Sequence, residues 1–130
     1  MNNPAIPLLS RILLAALFIY AGIGKVTNVA GTAGYFAKIG LPGGEALVWL
    51  VILVEIVGGV LIVIGWQTRW VAWGMAIFTV ASAVAGHKFW GLEGAQFNNQ
   101  LTQFLKNLAI AGGFILLAYY GPGRLSLDRR

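Results

Sequence analysis

Four apolar runs dominate the chain and leave it few folds to choose from. The first reaches from Pro4 to Gly24 and contains Arg11; the second, Ala46 to Trp66, contains Glu55; the third is Trp70 to Gly86 and the fourth Asn107 to Gly123. Each holds 17 to 21 residues, and a helix crossing the ~30 Å hydrocarbon core of a bilayer needs about 20, with roughly 17 to 25 tolerated. Only 10% of the 130 residues are charged and 58% are hydrophobic, whereas soluble domains carry about 25% charged residues. The sequence therefore predicts an all-α integral membrane bundle of four transmembrane helices, spans about 4–24, 46–66, 70–86 and 105–121, with no linker dividing residues 1–130 into further domains. The first run is read as a retained span and not a cleaved signal, because Met1 to Leu9 has no basic n-region and no small-x-small site precedes Lys25.

The connections add detail. "VTNVAGTAGYFAKIGLPGG" is long, helix-compatible around "AGYFAKI", and closes on a Leu41-Pro42-Gly43-Gly44 turn signal. A short interfacial helix over about Gly31 to Ile39 is expected there. Only Gln67, Thr68 and Arg69 separate spans two and three, so those helices are expected to be adjacent and antiparallel. After His87, Phe97, Leu101, Phe104, Leu105 and Leu108 recur at helical steps, which starts the fourth helix near Ala95, outside the membrane.

Four spans put both termini on one side. Arg11, Arg69, Arg124, Arg129, Arg130 and Asp128 lie there, net +4; Lys25, Lys38, Lys88, Lys106, Glu45 and Glu93 lie opposite, net +2. The excess favours cytoplasmic termini in a multi-pass protein of the cytoplasmic, or inner, membrane. Trp66, Trp70, Trp73, Tyr119 and Tyr120 form the aromatic belt expected at that end, with Trp49 and Trp90 opposite. A pI near 10.0 then concerns orientation and contact with the lipid bilayer, since scattered single charges make a poor nucleic-acid surface. There is no cysteine, which excludes thiol–disulfide exchange and iron–sulfur ligation. Any redox chemistry must use a borrowed cofactor.

Glu55 is the feature that asks for a function. It lies near the bilayer midplane, where an ionised side chain costs roughly 2.5–3.5 kcal/mol on insertion scales. Gly58 and Gly59, one turn on, remove bulk from the same region and permit a close helix neighbour or a small cavity. In the first span Arg11, Ala15, Phe18, Gly22 and Lys25 form one stripe, so an Arg11–Glu55 pair is expected, either fixing helix register or taking part in chemistry. His87, Gln100, Gln103, Lys106 and Asn107, with Lys25, should frame a polar funnel leading down to Glu55. An imidazole at its mouth can shuttle protons; the lysines have an ordinary reading as interfacial residues reaching for water. One histidine with distant carboxylates lacks ligand spacing, so no metal is expected.

These residues resemble the DoxX family of small four-span membrane proteins. The resemblance rests on "RILLAALFIYAGIGKV", "LVEIVGGVLIVIGWQTR", "GHKFW", "KNLAIAGGFILLAYYGPG" and the closing "GPGRLSLD", and covers nearly the whole chain. It implies a component of a membrane-associated oxidoreductase system, quinone-linked in some relatives, with more distant relatives serving as assembly factors. By position it picks out Arg11, Gly24, Lys25, Glu55, Gly58, Gly59, His87, Lys106 and Asn107. Three functions follow. In the first, the chain is a quinone- or lipid-binding subunit, with Glu55 and His87 relaying protons, Arg11, Lys25, Lys106 or Asn107 holding the ring, and a membrane or peripheral redox protein as partner. The second is a non-enzymatic scaffold or assembly factor. The third is a small proton-coupled transporter, for which four spans call for a homodimer.

Overall fold

The computed structural model describes residues 3–129, which form five α-helices. They are α1 (Ala5–Val26), α2 (Val29–Lys38), α3 (Gly44–Ile64), α4 (Thr68–Gly86) and α5 (Gly94–Tyr120). All but α2 are long and apolar enough to cross a membrane. The short helix between the first two spans is present, as is a fourth spanning helix that starts well before its apolar stretch. The spans are displaced from the apolar runs by about a residue or two at most ends, and the α3–α4 turn is Gly65-Trp66-Gln67 where the run boundaries suggested Gln67-Thr68-Arg69.

Local chemistry sets these ends. Pro7 falls in the first turn of α1, where a backbone N–H has no intrahelical partner to lose. Asn28 caps α2 by accepting from Gly31 N–H at 3.3 Å. At its other end Leu41 N–H reaches Phe36 O (2.8 Å) and Gly40 N–H reaches Ala37 O (3.1 Å). That paired closure needs a left-handed residue, supplied by Gly40 at φ +90°. Pro42 follows, and α3 starts afresh.

Glycine decides how closely the spans approach. A Cβ on Gly59 would stand 2.7 Å from Ile19 Cγ1 and one on Gly22 2.5 Å from Ile56 Cγ1, so α1 and α3 meet almost backbone to backbone. A Cβ on Gly58 would stand 2.5 Å from Met75 Sδ, which seats α4 on α3. The Gly58–Gly59 pair is thus a packing device for two different neighbours. Although α3 and α4 are joined by the tight turn, the most extensive packing is α1 along α3 and α4 along α5. Two walls result, and α2 lies on α3 beyond the end of α1 through Phe36, Val48 and Ile52.

The walls close on each other at the end carrying the termini. Ala15, Phe18, Ile62, Met75, Phe114 and Leu117 belong to one buried cluster there. Toward the other end the walls part. Most remaining large side chains, Leu13, Ile77 and Leu116 among them, point outward as a lipid-facing surface. Trp66, Trp70, Trp73, Tyr119 and Tyr120 are exposed around the termini end, and Trp49 and Trp90 are exposed nearer the other.

Overpacking at a closed glycine contact costs about 1–3 kcal/mol. Gly59→Val is therefore expected to lower the melting temperature in detergent, while Gly24→Ala, whose new methyl meets nothing within 4 Å, leaves it unchanged.

Candidate functional site

Arg11 does not pair with Glu55. Its side chain is fully buried, and its guanidinium serves as a cap. Nη1 donates to Ile62 O at 3.3 Å and Val63 O at 2.5 Å, among the last carbonyls of α3, and Nη2 donates to Leu125 O. These carbonyls have no partner within their own helix, and a planar fork with fixed donors suits them. Ile62 lies seven residues beyond Glu55, about 10 Å along α3, so one guanidinium cannot serve both.

The segment after α5 completes this end. It passes Pro7, whose Cβ a side chain on Gly123 would approach to 3.0 Å. Leu127 N–H then bonds Ile64 O (3.0 Å) and Asp128 N–H bonds Gly65 O (2.9 Å). The Asp128 carboxylate accepts from Gln67 N–H (2.9 Å) and Thr68 N–H (2.7 Å), capping α4. Arg69 does for α5 what Arg11 does for α3, donating to Ala118 O (3.1 Å) and Tyr119 O (2.7 Å). Roles for Asp128 and Arg69 were missed in the sequence. The signal was the "GPGRLSLD" stretch, but nothing in its composition says which helix ends it meets.

Glu55 has a different partner. Lys25 Nζ lies 2.9 Å from Glu55 Oε1. The carboxylate is buried and the ammonium meets it at hydrogen-bonding distance, a charge-assisted contact in which the Lys25 side chain stays 23% exposed. The reason for the exchange of partners is stagger. The Cβ position of Gly22 is 3.3 Å from Glu55 Cβ, so Gly22, and not the middle of the first apolar run, is level with the carboxylate. Lys25 is one turn away and reaches back to it.

Glu55 and Lys25 sit on the wall of a cavity of about 750 Å³ between the two walls. His87, Asn107 and Gln103 also line it, so the predicted funnel is present in outline. His87 Nδ1 donates to Gln100 Oε1 at 3.0 Å, and Asn107 Nδ2 approaches Thr79 O at 3.4 Å. The Thr79 hydroxyl turns back to Met75 O (2.6 Å). Thr79, Ser82 and Tyr35 are lining residues that the sequence reading passed over; a buried threonine in the apolar face of α4 was the available sign. Apolar side chains, among them Phe18, Phe36, Val51 and Phe78, make up much of the rest. Arg11 and Lys106 do not line the cavity: Arg11 is at the far end and Lys106 is exposed on α5.

The arrangement defines a class: a four-span membrane bundle with one end capped shut and, toward the other, a largely apolar cavity holding a Lys–Glu pair whose carboxylate is buried. The chain belongs to the DoxX family, whose family model matches residues 6–88. It is 47% identical over 122 residues to the inner membrane protein YqjF of Escherichia coli, covering 94% of this chain and 88% of that protein. It is 37% identical over 128 residues to the inner membrane protein YphA of the same organism, covering 98% and 91%. A Bacillus subtilis protein carrying the provisional name oxidoreductase CatD is 36% identical over 62 residues, 48% of this chain and 45% of that one. No solved structure matches the chain.

Arg11→Lys removes the fork that joins α3 to Leu125 and is expected to cost about 1–3 kcal/mol of stability; Asp128→Ala, which uncaps α4, should cost about 0.5–2 kcal/mol. Both are read from melts in detergent. Lys25→Met, which strands the buried carboxylate, should cost about 3 kcal/mol, and adding Glu55→Gln should recover most of it. A double variant that loses the sum of what Lys25→Met and Glu55→Gln lose singly would show that the two groups are not coupled.

Proposed function

We propose that the chain is a multi-pass inner-membrane subunit of an oxidoreductase system that binds a quinone, or a similar lipid-soluble ring, in the cavity beside Lys25 and Glu55. The observation that carries this reading is a buried carboxylate paired with a partly exposed lysine on the wall of a largely apolar cavity. About 750 Å³ lies within the roughly 300–1,000 Å³ usual for small-molecule sites, which combine apolar walls with a few placed polar groups. The names of YphA and YqjF support the membrane assignment, and that of CatD supports the oxidoreductase one. The charge count supports cytoplasmic termini, with the cavity then opening toward the opposite side.

When bound, a quinone supplies electron-accepting chemistry that the side chains lack. The protein's own part is to bind, orient and move protons. The Lys25 ammonium and the Asn107 amide are the donors placed to hold a ring carbonyl. Glu55 can take up and release a proton beside Lys25, and His87, nearer the mouth, passes protons toward water. Phe18, Phe36 and Phe78 keep water from the walls. The side chains hold no thiol to supply electrons, and a redox partner protein is the proposed donor. The packed cluster of Phe18, Met75 and Phe114 offers no polar route onward to the termini end, which speaks against proton-coupled transport.

The test is extraction of protein purified in mild detergent from its native membrane, with identification of bound lipids by mass. Stoichiometric quinone is expected. Glu55→Gln removes the charge beside Lys25, and Asn107→Ala a donor; at about 1.5–3 kcal/mol for a hydrogen bond to a charged group, occupancy should reflect a Kd weaker by roughly tenfold to a hundredfold. Wild-type protein that carries no quinone but retains a partner protein would overturn this reading in favour of a scaffold.

A further inference from the structure

The cavity has a side entrance, and its place limits what can occupy the site. α1 and α5 touch over only a short stretch. Leu14 marks that contact, its Cδ2 standing 3.0 Å from the Cβ position of Gly113. Leu17 and Ala21 continue the same stripe of α1 toward Lys25. Both line the cavity, as do Gln103 and Asn107 on α5. Leu17 is also 49% exposed, in the middle of a spanning helix. A cavity-wall side chain left half exposed at that depth, beside two helices that touch only briefly, is where the cavity meets the bilayer.

The end nearer water is more restricted. Lys88 Nζ reaches across to Ile39 O at 3.4 Å, His87 is tied to Gln100, and Tyr35 Oη stands 3.8 Å from the Cβ position of Gly86. These side-chain contacts narrow the mouth without bringing α2 itself against α4. From Lys25 to Leu17 the cavity runs eight residues along α1, about 12 Å, which is less than the ~15 Å depth of one leaflet. A ring held at Lys25 and Glu55 can therefore be followed by only a short length of chain before that chain meets Leu17 and the lipid.

We infer that the site takes a ring bearing a long isoprenoid tail, which enters from the bilayer between α1 and α5 and keeps its tail in that gap. The inference rests on the proposed function and adds the route and the tail. Leu17 and Ala21 are the threshold. Gln103 and Asn107 offer polar contacts on the facing edge, so the head passes without crossing a purely apolar barrier.

The experiment compares two quinones with the same ring, one short-tailed and one long-tailed, loaded from donor vesicles into purified protein in lipid nanodiscs. Leu17→Trp fills the threshold at a half-exposed position the fold tolerates, and Ala21→Trp is the second variant. Either should slow long-tailed loading by about tenfold, the factor that ~1.4 kcal/mol of added barrier produces, while the short-tailed quinone loads as in the wild type. Unchanged long-tailed loading in both correctly folded variants, with the ring still bound, would overturn the entrance and leave the site reading intact. Slowing by Ala81→Trp instead, at the α3–α4 edge of the cavity, would also overturn it. If the wild type bound neither quinone, the proposed function itself would fall.

Discussion

A helix that ends within or beside a bilayer leaves its last carbonyls without partners, and hydrocarbon offers them no water. In this bundle arginine supplies the answer at two ends. Arg11 reaches from inside α1 to the end of α3 and to Leu125, and Arg69 reaches the end of α5. Arg11 ties its wall to the segment after α5, while Arg69 joins the two helices of its own wall. The tight closure at that end, with Gly58 and Gly59 allowing two neighbours to approach α3 on different sides, lets the rest of the structure open. The cavity exists because the walls are held together at one end and are free to part at the other.

The Lys25–Glu55 pair belongs to that open half and has a different character. The donors around Arg11 are largely spent on carbonyls, so that end is structural. The pair at Glu55 stands on the cavity wall, partly reachable through Lys25 and surrounded by apolar side chains. Buried ion pairs contribute little net stability compared with apolar packing. A pair placed where packing would serve stability better is more readily understood through what it can bind. The two intramembrane charges of opposite sign are thus assigned to separate tasks.

The helices and their order were legible in the sequence, because apolar length is a direct consequence of bilayer thickness. The short helix between the first spans was legible too, since Asn28, Gly40 and Pro42 punctuate it and Phe36 gives it a buried anchor. Of the site residues, Glu55, Lys25, His87 and Asn107 do meet around one cavity. What could not be read was the pairing of charges across helices. That depends on how far α1 is shifted along α3, and the shift is set by the fit of Gly22 and Gly59 against Ile56 and Ile19. Counting residues within a run fixes depth only to within a few ångströms, while an ion pair is decided by less. Asp128 was illegible for a related reason: a carboxylate after the last span acquires meaning only when the chain returns to the α3–α4 turn.

That return has a consequence for biogenesis. α1 and α3 can pack as soon as both have left the ribosome and entered the bilayer, but the groups that complete the end, Leu125, Leu127 and Asp128, are made after every span. Until then the Arg11 guanidinium lacks one of its carbonyl partners and the first turn of α4 is uncapped. A nascent chain arrested within α5 would present an incompletely satisfied arginine inside an otherwise apolar assembly. Quality-control proteases of the membrane would thus have a chemical mark that separates unfinished chains from finished ones.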